Sequence, residues 1–225
     1  MIKRRLLLGS SALALLAAGL FGSSLTLAAA DDAQIGPYDL VTKVAQQTLK
    51  DLDAHRSEYA KDPNKVRELV DKNMLPYFDT AYSAQLVLGK NWRTATPEQR
   101  KRFVDGFYQS MLQNYGAALL EFTPDRLKIL PFQGKPEDPQ ATVRSEIRRD
   151  NGTRVPVNYT LRKTPAGWKA YDVTIEGISY VKSFRTDFGS EIQQKGLDAV
   201  ILRLEAQVAS GAIGKPVAPA TKPAT

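Results

Sequence analysis

The stretch Trp168–Ile192, WKAYDVTIEGISYVKSFRTDFGSEI, contains the change of period that decides the fold. Tyr171, Val173 and Ile175 alternate with Asp172, Thr174 and Glu176, the pattern of a strand with one apolar face. Gly177 interrupts it, and Ile178, Val181, Arg185, Phe188 and Ile192 then follow at helical spacing. A strand handed to an amphipathic helix makes a corner between a sheet and its cover, a place where pockets open.

Upstream of this corner the period is also two. Arg126–Phe132 reads as a strand, and Ala141–Arg149 sets Val143, Ser145 and Ile147 against Thr142, Arg144, Glu146 and Arg148. Asp150-Asn151-Gly152 is a hairpin turn, after which Thr153–Lys163 carries Val155, Val157, Tyr159 and Leu161 on one face. Pro156 within that strand predicts an edge or a bulge there. Thr164–Gly167 turns the chain into the opening stretch. Four antiparallel strands with one wet face require a cover on the other, so the reading is an α+β domain: a four-stranded curved sheet covered on one face by amphipathic helices.

The remaining segments supply those helices. Pro37 to Tyr59 repeats Leu40, Val41, Val44, Leu49 and Leu52 at helical spacing, with Pro37 in the first turn. A short helix follows Asp62-Pro63, and an aromatic-rich one runs from Tyr77 to Leu88, closed by Gly89 in a left-handed C-cap. Thr96, Pro97 and Gln99 form a capping box that starts a helix reaching Phe122. Phe103, Phe107, Met111, Tyr115, Ala118 and Phe122 make one apolar row on it; Val104, Tyr108, Leu112 and Leu119 make a second. Such a helix is either buried on two sides or packed on one and open to a cavity on the other. A last helix spans Leu197–Val208.

The ends and the composition bound the function. Lys3-Arg4-Arg5, an uncharged apolar run from Leu6 to Leu27 and Ala28-Ala29-Ala30 form a signal peptide over residues 1–30, so the mature domain, 31–209, is expected to be exported to the periplasm. Residues 210–225 are a Gly/Pro/Ala-rich disordered tail. The chain of 225 residues has no cysteine, one histidine and a net charge of +7. No disulfide, thiolate or histidine-cluster metal chemistry is expected. The diffuse positive charge lacks the interleaved basic and aromatic residues of a nucleic-acid footprint. His55, among Asp53, Arg56 and Glu58, reads as a surface residue, and Arg144, Arg148, Arg154 and Arg162 as a solvated sheet face.

No phosphate-binding glycine loop or nucleophile elbow is present. Asp172, Glu176 and Glu146 lie on the polar face, where solvated or salt-bridged carboxylates are expected. One enzymatic alternative is an isomerase that pairs Tyr159, Tyr171 or Tyr180 with Asp172 in an apolar pocket. The alternation places Asp172 on the face opposite Val173, against that arrangement.

Short strings occur in a family order: Leu75-Pro76-Tyr77, Leu86-Val87-Leu88-Gly89 with Trp92, Ala95-Thr96-Pro97-Glu98-Gln99-Arg100 and Tyr115-Gly116. Trp168-Lys169-Ala170-Tyr171-Asp172-Val173, Glu176-Gly177-Ile178-Ser179 and Lys195-Gly196-Leu197-Asp198 complete the set. Together they resemble the MlaC family, also called the toluene-tolerance auxiliary component, over nearly the whole mature domain. The resemblance implies an NTF2-like sheet with helices around a deep apolar cavity that takes phospholipid tails and leaves the headgroup exposed. It implies a monomeric periplasmic carrier without catalytic residues or a cofactor. Its partners would be an inner-membrane ABC transporter with an MCE-domain ring and an outer-membrane lipoprotein–porin complex.

The alternation locates that cavity between Val143, Ile147, Val157, Tyr159, Leu161, Val173 and Ile175 of the sheet and a helical wall. Tyr82, Leu86, Phe107, Met111, Tyr115, Ile178, Val181 and Phe188 form the wall, and Gly177 is the hinge on which it opens.

Overall fold

The computed structural model describes residues 35–210 apart from Pro136. The expected signal peptide, residues 1–30, and nearly all of the expected tail lie outside the described residues. Helix α1 is Pro37–Lys61, α2 Pro63–Asn73, α3 Thr80–Leu88, α4 Lys90–Thr94 and α5 Pro97–Tyr115. A tight helical turn, Leu75–Tyr77, precedes α3, and another, Gly116–Glu121, continues α5. The strands are β1 Leu127–Ile129, β2 Gln140–Arg148, β3 Arg154–Thr164, β4 Gly167–Ile175 and β5 Ile178–Ser179; α6 Tyr180–Lys195 and α7 Leu197–Ser210 follow.

Local chemistry sets the helix starts. Asp62 accepts the Asn64 N–H ahead of α2 at 3.0 Å. Thr96 and Gln99 form the expected reciprocal box ahead of α5. Ser179 Oγ accepts the Lys182 N–H at 3.1 Å and starts α6. Gly89, with φ +53°, ends α3 in a backbone conformation that costs a residue with a Cβ.

The strands pair in chain order, all antiparallel. This adds β5 to the four strands expected: Ile178 and Ser179, read as helix, first pair with Ile175 and Thr174. Glu176 and Gly177, at φ +51° and +83°, form the two-residue turn between them, with positive φ at both positions as such hairpins require. Pro156 is tolerated because its backbone faces the end of β4. Pairing with β4 ends at Val157 opposite Ile175, and the Pro156 carbonyl accepts the Glu176 N–H at 3.0 Å.

A bulge alters the face assignment in β4. Thr160 pairs with Asp172 and Leu161 with Ala170, so Tyr171 is the extra residue. Ala170 and Val173, rather than Tyr171 and Val173, share the apolar face.

Three buried clusters result. On the apolar sheet face, Ala141, Val143, Leu161 and Trp168 are buried against Leu40 and Val41 of α1, with Tyr38, Val44 and Tyr77 around them. Away from it, α3, α5, α6 and α7 pack on one another around Phe103, Phe107, Phe184, Phe188, Ile201 and Leu204. Phe103 stacks on Phe107 at 5.7 Å and meets Phe188 edge-on at 5.3 Å. A Cβ on Gly106 would stand 3.1 Å from Leu204 Cβ, so glycine sets the close approach of α5 and α7. The second row of α5 is also engaged: the Tyr108 hydroxyl donates to Asp71 of α2 at 2.7 Å, and Leu119 and Leu120 pack with Leu52, Val66 and Leu69. The first row is thus buried in the helical core, and the second is partly covered by α2 and by the turn after α5.

Helix α1 is kinked at His55, at φ −126° and ψ 17°. The exposed His55 ring bonds Asp51 at 3.0 Å, and Asp51 also accepts the Tyr59 hydroxyl. Burial, then the bond to Asp51, pushes the Tyr59 phenol up to about 12. A raised phenol favours folding fully below the unfolded value of about 10 and progressively less as pH rises towards the folded value. Tyr59→Phe should therefore lower stability near neutral pH by about 1 kcal/mol. The gap should narrow as pH rises from about 10 towards about 12 in denaturant titrations of both proteins.

Candidate functional site

The corner between β4 and the helices is built on Asp172. The residue is 9% exposed and projects from the polar sheet face, opposite Val173, as the alternation requires. Its carboxylate accepts the Ser179 hydroxyl at 2.5 Å and the Val181 N–H at 3.0 Å. It is therefore neither solvated nor salt-bridged; it ties β4 to the first turn of α6, where a negative charge also suits the helix dipole. Glu146 and Glu176 fit the expected pattern, pairing with Arg154 at 3.1 Å and Arg149 at 3.7 Å. The stripe of arginines is largely neutralised in the same way, Arg148 by Asp125 at 2.8 Å and Arg162 by Asp79 at 2.7 Å.

No tyrosine–Asp172 dyad faces an apolar pocket. Tyr159 is on the other sheet face, the Tyr171 hydroxyl turns to Gln140 at 3.3 Å, and Tyr180 packs against the helical core. Among the described residues no group of three His, Cys, Asp or Glu side chains is arranged to hold a metal ion.

The expected cavity residues are spread over several parts of the fold. Val143 and Leu161 are fully covered beneath α1, and Val157 is buried on the same face. Ile147, Tyr159, Val173 and Ile175 share that face but keep part of their surface uncovered. Phe107, Met111, Val181 and Phe188 belong instead to the helical core. Tyr82 lies over the polar face: the Arg162 guanidinium is 4.1 Å from its ring centre, and Tyr171 meets it edge-on at 5.1 Å. Leu86 is half-buried on α3 and Ile178 half-buried in β5; the side chain of Tyr115 is outside the described residues. Gly177 forms the tip of the β4–β5 hairpin, and a Cβ there would meet no atom within 4 Å, so its φ is what calls for glycine.

The cover of the apolar face is thus α1, which the helix-wall reading had left out. Between α1 and β1 a groove of about 700 Å³ is lined by Tyr38, Thr42, Ala45, Leu49, Leu127 and Ile129. Tyr38 and Ile129 also pack on the cluster beneath α1, so the groove is continuous with the apolar face. The sequence held a signal for it: Tyr38, Thr42, Ala45 and Leu49 recur at helical spacing beside the stripe that faces the sheet. Deeper in, Tyr159 is enclosed enough that burial pushes its phenol above the ordinary tyrosine value, yet part of the residue is uncovered.

Replacing Asp172 with alanine should leave the Ser179 and Val181 donors without their acceptor and cost about 1–3 kcal/mol. Amide hydrogen exchange should show the loss as faster exchange concentrated in the first turn of α6.

Residues 42–206 match the family described as MlaC protein. The chain is 34% identical over 163 residues to toluene tolerance protein ttg2D of Pseudomonas putida, covering 72% of this chain and 75% of that one. It is 26% identical over 176 residues to the intermembrane phospholipid transport system binding protein MlaC of Haemophilus influenzae, covering 77% and 82%. Its fold is similar to that of a phospholipid-binding protein from Ralstonia solanacearum solved in complex with a phospholipid. The TM-score is 0.73 at 26% identity, over 79% of this chain and 99% of that one. On the capped corner, the single apolar sheet face and these matches, the chain belongs to the MlaC family.

Proposed function

We propose that the protein binds phospholipid with its acyl chains between the apolar sheet face and α1, and carries it across an aqueous compartment. The observation that carries this reading is the apolar face itself. Ile147, Tyr159, Val173 and Ile175 are incompletely covered there, and one helix, α1, supplies the cover. The likeness to a structure solved with a phospholipid supports it.

Exposing a diacyl lipid of about 30 methylenes to water costs more than roughly 20 kcal/mol, so unassisted transfer is prohibitively slow and a carrier must enclose the tails. Withdrawal of α1 from the sheet would add the surfaces of Val143, Val157 and Leu161 to the lining while leaving the helical core around Phe103 intact. A hinge at Gly177 would require the Asp172 bonds to Ser179 and Val181 to break, since they hold β5 and the start of α6 to β4.

The compartment in this reading is the periplasm, reached through the N-terminal signal peptide. The carrier is a monomer that exchanges lipid with an inner-membrane ABC transporter bearing an MCE-domain ring and with an outer-membrane lipoprotein–porin complex. No helix among the described residues is long and apolar enough to cross a membrane. The chemistry is binding and release without bond making, so no cofactor enters.

Protein purified without detergent and extracted with organic solvent should yield phospholipid in stoichiometric amount by mass spectrometry. Lipid-free protein that also takes up none from vesicles would contradict the proposal.

A further inference from the structure

The two sides of the sheet end differently. Along β4 the outer side is taken by Phe78, Asp79 and β5. Along β1 it is open. Arg126 accepts the Arg148 N–H and Leu130 donates to the Arg144 carbonyl, each at 2.9 Å, so every second residue of this strand turns its main chain to β2. Lys128, opposite Glu146, is the residue between them that does so. Leu127 and Ile129 therefore point their N–H and C=O groups away from β2, and no described residue bonds them.

This open edge adjoins the groove beside α1. Leu127 and Ile129 line the groove from the strand, and Tyr38, Ala45 and Leu49 line it from the helix. The lining runs from Tyr38 to Asp53 of α1, about 22 Å at the helical rise, which an extended segment of about six or seven residues would span. Charge around the edge is of one sign. Lys128 projects on the polar sheet face and Lys50 stands on the helix side, both exposed, and neither has a counter-ion among the described residues. The acidic side chains close by are engaged: Asp53 by Arg56 at 2.7 Å, Glu146 by Arg154 at 3.1 Å and Asp125 by Arg148 at 2.8 Å.

We propose that the outer edge of β1 is a docking site for an extended, acidic segment of another protein, which adds to the sheet as a further strand. Its main chain bonds to Leu127 and Ile129, its apolar residues at alternate positions enter the groove, and the acidic residues between them meet Lys128. Lys50 adds to the attraction from the α1 side. A second copy of this chain is a poorer occupant, because antiparallel pairing of β1 with itself sets Lys128 opposite its own counterpart, and like charges across strands repel. The proposal stands apart from the phospholipid reading, since it needs no lipid in the groove.

The test uses the purified protein and peptides of about seven residues in which valine alternates with glutamate, with a valine–lysine series as counterpart. On binding the glutamate peptide, amide exchange should slow at Leu127 and Ile129 and stay unchanged at Lys128, whose N–H already faces β2. Lys128→Glu should weaken that peptide roughly fivefold and favour the lysine series instead. Ile129→Pro removes only an outward N–H, at an edge position that tolerates proline, and should weaken binding roughly fivefold, the loss of one strand hydrogen bond. On the peptide side, N-methylation of one alternate set of amides should abolish binding, and of the other set should leave it intact.

The proposal is overturned if the glutamate peptides leave the Leu127 and Ile129 amides unprotected, or if the lysine series or both N-methylated sets bind as tightly. It is also overturned if the free protein shows the same protection as a dimer, which would give the edge to a second copy.

Discussion

A carboxylate buried at the end of a bulged strand fixes how the two halves of this molecule meet. Asp172 faces the polar side of β4, yet β5 and the first turn of α6 close over it, and both oxygens are taken by donors from those elements. At the other end of the bulge, Ala170 accepts the Asp79 N–H at 2.7 Å and bridges to Phe78, which sets the start of α3. The outer edge of β4 is thus occupied on both sides of Tyr171, removing the open edge that invites aggregation. The extra residue of the bulge shifts the alternation so that both attachments reach the strand. Without it, α3 and α6 would not be set on the same edge, and the core around Phe103 would have no fixed relation to the sheet.

This arrangement divides the labour. The helices α3, α5, α6 and α7 satisfy one another and take little from the sheet's apolar face. That face is left to α1, whose contact with it is aliphatic and aromatic and whose lateral opening towards β1 is a groove. On the proposed reading the division is functional. The sheet-facing part of α1 belongs to a cluster separate from the core around Phe103 and can yield to lipid while the end of α1, with Leu52 and Tyr59, stays packed on α2 and the tight turn after α5. Arg56 donates to the Leu120 carbonyl in that turn and to the Phe122 carbonyl just beyond it, the latter at 2.8 Å.

Much of this was readable before any coordinates. Period-two runs located the strands, the Asp150-Asn151-Gly152 turn located a hairpin, and Thr96 with Gln99 located a helix start, because each signal is local. What escaped was set by tertiary packing. Nothing in Lys169–Val173 marks Tyr171 as the bulge; its ring leaves the apolar face because Tyr82 and the Arg162 guanidinium offer a better surface. Ile178 and Ser179 have a helix-compatible pattern, but the positive φ at Glu176 and Gly177 folds them back as a strand first. The site suffered most. Phe107 and Phe188 look identical in sequence to cavity-lining aromatics, and only their mutual edge contact, with ring centres 5.7 Å apart, shows that they are spent on a core. Which helix covers a sheet is a question of long-range pairing, and α1, the farthest from the sheet in sequence, is the answer.

The central claim, that lipid lies on the apolar sheet face beneath α1, is tested most directly by paramagnetic broadening. A phospholipid spin-labelled midway along one acyl chain is loaded into isotope-labelled protein, and backbone amide signals are compared with those of an unlabelled load. Broadening centred on Ile147, Tyr159, Val173 and the sheet-facing side of α1, with Arg144, Arg154 and the core around Phe103 spared, is the predicted result. Broadening centred on the helical core between α5 and α6, or on the polar sheet face, would contradict the account.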